Sequence, residues 1–370
     1  MIIQIIQVIV FAIGVYIVFG TVASAFRTFV VPRGEQVYLS RMVFIWMRRF
    51  FNLWLKRAKT YEERDRIMGY YAPLSVLALS PIWLLLVFIG FAGMFWAVGV
   101  SSPIEAFELS GSSLVTLGSV PATGLAQMIL AFAEAGIGLV LVALFISYLP
   151  TMYSAFQRRE VLVTLLEVRA GSPPSAVEMM ERFHRIHGLD RLTEMWESWE
   201  AWFADVEESH TSLASLIYFR SPVPKRHWVT AAGAVLDGAS LAASTLDMPR
   251  NAQAELCIRA GYLAFRAIGD LLNFHYDPNP KPTDPISITR EEFDAVCERL
   301  IKDQLPIKSD REQAWRDFVG WRVNYDEILL ALADVTMSPY APWSSDRCQG
   351  KALELRTRPR DYKRTPSVGK

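Results

Sequence analysis

The stretch "SGSSLVTLGSVPATG", Ser110 to Gly124, sits between two long apolar segments and fills the gap with serine, glycine, proline and threonine. Just upstream, "SSPIEAFEL" carries a helix-start signature: Ser102 as N-cap, Pro103 in the first turn and Glu105 completing a capping box. Glu105 and Glu108 also suit the positive end of a helix dipole. The helix this predicts, about 103–114, is too short to cross a bilayer, which needs about 20 apolar residues. Irregular backbone at membrane depth survives only where protein buries it or it lines a wet cavity. A short helix and a polar loop between two spans therefore predict a re-entrant element around a filter or cavity.

Working outward, three segments are long and apolar enough to span: 2–26, 72–100 and 125–153. The 370-residue chain balances 38 basic against 38 acidic side chains, so net charge selects no partner, and nucleic acid is not expected among them. The distribution is more informative. Residues 67–157 contain no Lys or Arg and three acids, Glu105, Glu108 and Glu134, whereas the chain from 158 onward is richly charged. Ala23-Ser24-Ala25 fits a signal-peptidase pattern, but no basic region precedes it and the apolar run exceeds a usual signal core, so 2–26 is read as a span. Residues 27–66 hold ten Lys or Arg against four acids, and 101–124 hold no basic residue. The excess of cations in short loops places 27–71 and 154–370 in the cytoplasm and the amino terminus outside an inner membrane.

Within 27–71, "VYLSRMVFIWMRRFFNLWLKRAK" reads as an amphipathic helix. Arg41, Arg48, Asn52, Lys56 and Lys59 form a polar stripe, and Phe44, Trp46, Met47, Phe50, Phe51 and Trp54 cover much of the rest. The expected position is the cytoplasmic interface, with cations among anionic lipid headgroups; the alternative is a helix packed on the soluble part.

Outer helix, pore helix, loop and inner helix, in that order over 72–153, resemble the two-transmembrane pore module of the potassium channel superfamily. The run from Ser113 to Gly124 is similar to that family's S-F-V-T-L-T-T-V-G-Y-G-D, with Ser113, Val115, Thr116, Leu117 and Val120 matching and Ser119 a near match. The resemblance implies a filter or pore stretch at Thr116, Leu117, Gly118, Ser119, Val120, Pro121, Ala122, Thr123 and Gly124, with four subunits around one axis. The departures are specific. A potassium filter aligns carbonyls that replace the ion's hydration shell, through backbone angles that glycine reaches cheaply. Pro121 and Thr123 stand in place of the two signature glycines and Ala122 in place of the aromatic prop. Proline fixes φ near −65° and a β-branched residue resists positive φ. The expectation is a wider, hydrated, weakly selective cation pore rather than a potassium filter; the alternative is a non-conducting sensor or scaffold that retains the fold.

Glu134, in "LAFAEAGIG", is the one acid inside a span, and such carboxylates face an interior or cavity. By the resemblance it lies behind the filter, with Ser112, Ser113 or Thr116 as partners, either as a titrating gate or as a tie that holds the loop. Gly136 and Gly138 permit bending or close packing of the inner helix, and Pro150 is expected to kink or end it.

Residues 154–338 read as helical, with apolar positions three and four apart; helices are expected near 174–187, 190–219, 226–246, 250–275, 289–304 and 309–337. Capping boxes are predicted at Thr289 with Glu292 and at Ser309 with Glu312. "DPNPKPTDP", 277–285, reads as a linker, and 339–370 as a disordered basic tail. Trp196, Trp199 and Trp202 form a stripe suited to a core or subunit contact, with a ligand box as the alternative. His184 and His187 lack a third ligand, and Cys257, Cys297 and Cys348 have no metal spacing, so neither metal nor cofactor is expected. No P-loop, Rossmann glycine run, G-x-S-x-G or H-E-x-x-H appears, so an enzyme is not expected. The predicted class is an all-α membrane protein with domains at 1–26, 27–71, 72–153, 154–338 and 339–370.

Overall fold

A computed structural model describes residues 2–31 and 37–348. Among these residues the chain is all helical; the one β-type pairing is an isolated antiparallel bridge between Leu246 and Ile307. The helices run α1 Ile2–Phe29, α2 Tyr38–Leu55, α3 Tyr61–Gly69, α4 Tyr71–Ala97, α5 Pro103–Leu114, α6 Leu125–Ala170, α7 Ala176–Arg185, α8 Leu192–Ser212, α9 Trp228–Thr245, α10 Ala252–Leu271, α11 Arg290–Lys302, α12 Arg311–Arg322 and α13 Asp326–Val335. Three helical stretches, within α1, α3–α4 and α6, are long and apolar enough to cross a membrane. The described residues form two compact units: one from those up to Met47 with Tyr71–Ser154, the other from Arg48–Tyr70 with 155–348.

In the first unit α1 lies against α4. The side of α1 that is buried carries Gly14, Val18, Thr21 and Ala25, spaced four, three and four, which is one face of a helix. Gly14 faces Gly90: a Cβ on Gly90 would sit 3.0 Å from the Gly14 carbonyl oxygen and 2.7 Å from Val18 Cγ2. Small residues let two helices in lipid approach closely where no hydrophobic force drives them together. Phe29 closes the same bundle, 4.9 Å from Trp83 and 4.5 Å from Tyr148 between ring centroids. The α6 helix continues unbroken through Pro150 to Ala170, so of the two expected outcomes, a kink or an end, the proline does not end it; the helix loses one internal amide there.

The second unit is organised around α9, "WVTAAGAVLDGASLAAST", buried along almost its whole length. Its glycines and alanines let α7, α10 and α12 approach; Gly238 has Met179 Cε where a Cβ would go, and Gly261 of α10 meets Leu236. Trp196, Trp199 and Trp202 of α8 are buried in this core, and the Trp202 indole donates to the Arg159 carbonyl at 3.0 Å. Cys257 and Cys297 are buried in the same core as free thiols.

Several expectations change. The helix predicted over 309–337 is two, α12 and α13, turned at Val323–Tyr325. Its N-cap is Asp310, which accepts from Gln313 N at 2.9 Å, not Ser309 with Glu312; the box at Thr289 and Glu292 forms in both directions. Arg48, read as a headgroup cation, is buried: Nη2 donates to the Val335 carbonyl at 2.7 Å, and its guanidinium lies 5.4 Å over the Tyr218 ring. The unsatisfied carbonyls ending α13 are a natural sink for a cation. Phe51, placed in lipid by the sequence, is buried with it. Residues 339–348, expected to begin a disordered tail, are packed down: Ala341 and Trp343 are buried, and Arg322 Nη2 donates to the Trp343 carbonyl at 2.6 Å. The rest of that predicted tail, 349–370, lies outside the described residues.

Candidate functional site

The segment from Ser102 to Gly138 carries several local hydrogen-bonded groups in the first unit. At its start Ser102 is extended, φ −139° and ψ 155°, and its Oγ accepts from Glu105 N at 3.2 Å. Pro103 follows at the first helical position, where its missing amide costs nothing. The return bond from the Glu105 carboxylate that would complete a full box does not form.

The buried residues of α5 are Ala106, Leu109, Ser110 and Ser112. Phe107 meets Phe88 of α4 edge-on at 4.6 Å. Ser110 Oγ lies 3.0 Å from the Phe88 carbonyl and 2.6 Å from Glu134 Oε1. The partner of Glu134 is therefore Ser110, not Ser112, Ser113 or Thr116. The helix geometry gives the reason: Ser113 turns back to the Leu109 carbonyl at 2.8 Å, and Ser112 is committed to the loop. Glu134 is fully buried, and its Oε2 has no hydrogen-bond partner. It links α4, α5 and α6 through one hydroxyl.

The end of α5 is a helix-stop motif of the Schellman type. Thr116 N donates to Ser113 O at 3.0 Å and Leu117 N to Ser112 O at 2.8 Å, satisfying carbonyls that a helix end leaves open. Thr116 adopts φ 55° and Gly118 φ 67°. The left-handed positions thus fall at Thr116 and Gly118, while neither Pro121 nor Thr123 takes one. Glycine is the usual occupant at the Thr116 position, and a β-branched residue there stores strain of order 1–3 kcal/mol.

Ser112, which the sequence did not single out as a loop residue, is the hub of the turn. Its Oγ accepts from Ser119 Oγ and from Val120 N, both at 3.2 Å. Gln127, which the sequence did not single out at all, closes the far end: its Oε1 accepts from Thr123 N at 3.0 Å and Thr123 Oγ1 at 3.1 Å. The signal for each was available as spacing, Ser112 seven before Ser119 and Gln127 four after Thr123, but nothing in the residue types distinguishes these pairs from chance. Leu117, Ser119, Pro121, Thr123 and Gly124 are exposed, and Val120 and Ala122 are half-buried. No charged side chain lies between Glu108 and Glu134, so the loop offers hydroxyls and carbonyls but no acid, base or cation.

The two glycines of α6 differ. Gly138 is buried under the end of α5, where a Cβ would stand 2.7 Å from the Leu114 carbonyl oxygen; Gly136 has open space around it. The faces of α6 are equally distinct. Glu134, Gly138, Leu141, Tyr148 and Met152 are buried on one side, and Gly136, Val140, Ala143, Ser147 and Thr151 lie exposed on the opposite side. Ser147 and Thr151 return their protons to the Ala143 and Ser147 carbonyls at 2.6 and 3.1 Å, leaving their oxygens outward.

His184 and His187 have no third ligand beside them: among the described residues no group of three His, Cys, Asp or Glu side chains could hold a metal. The histidines that matter structurally are two the sequence passed over. His227 caps α9, its Nδ1 accepting from Val229 N at 3.2 Å. His210 Nε2 lies 3.1 Å from Arg159 Nη1; arginine only donates, so this nitrogen accepts. Burial holds both imidazoles well below the ordinary histidine range, and the nearby Arg159 and Arg220 guanidinium groups add to it.

Compared with known proteins, the chain matches no protein family, no curated protein and no solved structure.

Proposed function

We propose that this chain is a channel-like membrane protein whose α5 and 115–124 loop form a re-entrant element beside a hydrated, weakly selective cation pathway. Four copies surround the axis, with the second unit in the cytoplasm as an assembly or regulatory domain and the amino terminus outside. The observation that carries this reading is the capped twelve-residue α5, held between two membrane-length helices and followed by a loop pinned at both ends by Ser112 and Gln127. Those ties give part of the loop's backbone protein partners, as membrane depth demands, and leave carbonyls of 116–123 to face a wet pathway.

The outward stripe of α6 supports the same reading. Gly136, Ala143, Ser147 and Thr151 are small or hydroxylated and run as a narrow line beside the exposed apolar Ile129, Phe132, Leu139, Val140 and Ile146, which suit lipid. Ser119 and Thr123 supply the oxygens at the loop. The closed Schellman turn engages the Ser112 and Ser113 carbonyls, which leaves less of the α5 dipole to favour cations and accords with weak selectivity. Exposed Arg41, Lys56 and Lys59 remain as contacts for anionic headgroups.

Purified protein in planar bilayers, under asymmetric potassium, sodium and chloride, tests this directly. Cation current with a reversal potential near that of a poorly discriminating pore is expected, and Thr123→Trp is expected to block it. Silence across voltage, pH and tension, with the protein folded, rejects conduction and favours a scaffold that retains the fold.

A further inference from the structure

A cavity of about 610 Å³ opens in the second unit, between the end of α9, the first turns of α8 and α10, and one side of α12. That volume falls within the roughly 300–1,000 Å³ of small-molecule sites. Its apolar lining includes Trp196, Leu246, Met248 and Trp321, and its polar lining includes Lys308 and Arg316.

The charges around it do not cancel in the same way. Arg250 and Glu255 form a bidentate pair at 2.6 and 2.7 Å and neutralise each other. Asp317 accepts from the Gln313 carboxamide at 2.7 Å, and Arg316 Nε reaches Glu312 at only 3.4 Å. Lys308 is held in place: Nζ donates to the Ala243 and Ser244 carbonyls at 3.1 and 2.9 Å. Its backbone is paired as well, with Lys308 N donating to Thr245 O at 2.9 Å and Asp247 N to Pro306 O at 2.8 Å around the Leu246–Ile307 bridge. Both Nζ partners are carbonyls, so its positive charge meets no carboxylate there, and an ammonium carries three protons.

We propose that this cavity binds a small planar organic anion of the arene-carboxylate class. The ring lies against the half-buried Trp321 indole, which favours flat aromatic partners, beside the exposed Met248, and the carboxylate takes the remaining Lys308 proton with the Arg316 guanidinium over it. This assignment is independent of whether the membrane unit conducts.

Gly320 gives a clean blocking variant. A Cβ there meets only Pro282 Cβ, at 3.6 Å, so the backbone accommodates a side chain at this lining position, and Gly320→Leu adds bulk at the cavity wall with better helix propensity. Arg316 is largely exposed, so Arg316→Gln tests the charge without disturbing the core. The experiment is calorimetric titration of the full chain in lipid nanodiscs with 2-naphthoate, beside neutral 2-naphthamide and empty nanodiscs. Saturable binding of one 2-naphthoate per chain is expected, weakened about tenfold for the amide and about fivefold by Arg316→Gln through loss of charge-assisted bonds, and abolished by Gly320→Leu. No saturable heat above the empty discs, equal affinity for the amide, or binding that survives Gly320→Leu each overturns it.

Discussion

Two residues concentrate the cost of this fold. Thr116 accepts a left-handed backbone that its Cβ branch opposes, in a position where glycine would be unstrained. Asp237 accepts burial: it pairs with Arg322 Nη1 and takes the Tyr325 hydroxyl at 2.9 Å, while Arg322 Nε reaches Asp326 at 2.7 Å. Asp326 in turn accepts from Ser287 N at 2.8 Å, so one guanidinium ties α9, α12, α13, the segment before α11 and the Trp343 carbonyl. Removing one member of a buried pair leaves the other charge unpaired, so Asp237→Ala is expected to destabilise the second unit by about 3–5 kcal/mol. Asp237→Leu combined with Arg322→Met should recover much of that loss. Denaturant unfolding followed by tryptophan fluorescence checks both, and a single-variant loss under about 1 kcal/mol would show the charges to be solvated rather than buried. The residues of this network were visible as polar letters in apolar helices, but their pairing across 85 positions of chain was not.

At the scale of elements, the first unit depends on how closely α1 and α4 approach. Gly14 and Gly90 put backbone against backbone, and no rotamer of a larger residue fits there. Gly90→Leu is expected to force the helices apart at a cost of about 1–3 kcal/mol, the usual range for overpacking, measured as earlier unfolding in mixed micelles. Gly20→Leu is the control, since open space surrounds Gly20, and equal losses in the two variants would remove the packing explanation. Helix starts were legible where a capping residue precedes a charged first turn, as at Ser102 and Thr289. Helix ends were less so: the turn that splits 309–337 has Val323, Asn324 and Tyr325, none of which is a strong breaker, and it forms because Tyr325 and Arg322 are drawn to Asp237.

At the scale of the molecule, acid should weaken the second unit. His210 and His227 stay neutral in the folded chain because burial opposes the charged ring. The unfolded chain takes up protons as pH falls through about 6.5, so it then binds more protons than the fold. Stability contributed by the two neutral rings is complete above that pH and declines below it, by up to about 1.4 kcal/mol per pH unit for each histidine. Unfolding midpoints measured from pH 7 to 5.5 should fall accordingly. His227→Asn, which keeps a capping side chain for α9, should flatten the slope by about half. A level profile in the parent protein would show that the imidazoles charge in place.

Composition and periodicity alone determined that this is a helical chain with three membrane-length helices, a short capped helix between the last two and a charged helical remainder. Those features rest on hydrocarbon thickness, helix period and capping, all of which act over neighbouring residues. The tertiary structure decided which side chains meet. Arg48 and Phe51 were turned from the lipid expectation into a buried position, Glu134 was given Ser110, and Trp343 was drawn into the core from a segment that reads as tail. Each outcome depends on a partner far along the chain, such as the Val335 carbonyl for Arg48, and a long-range partner leaves no periodic trace in the residues around either end.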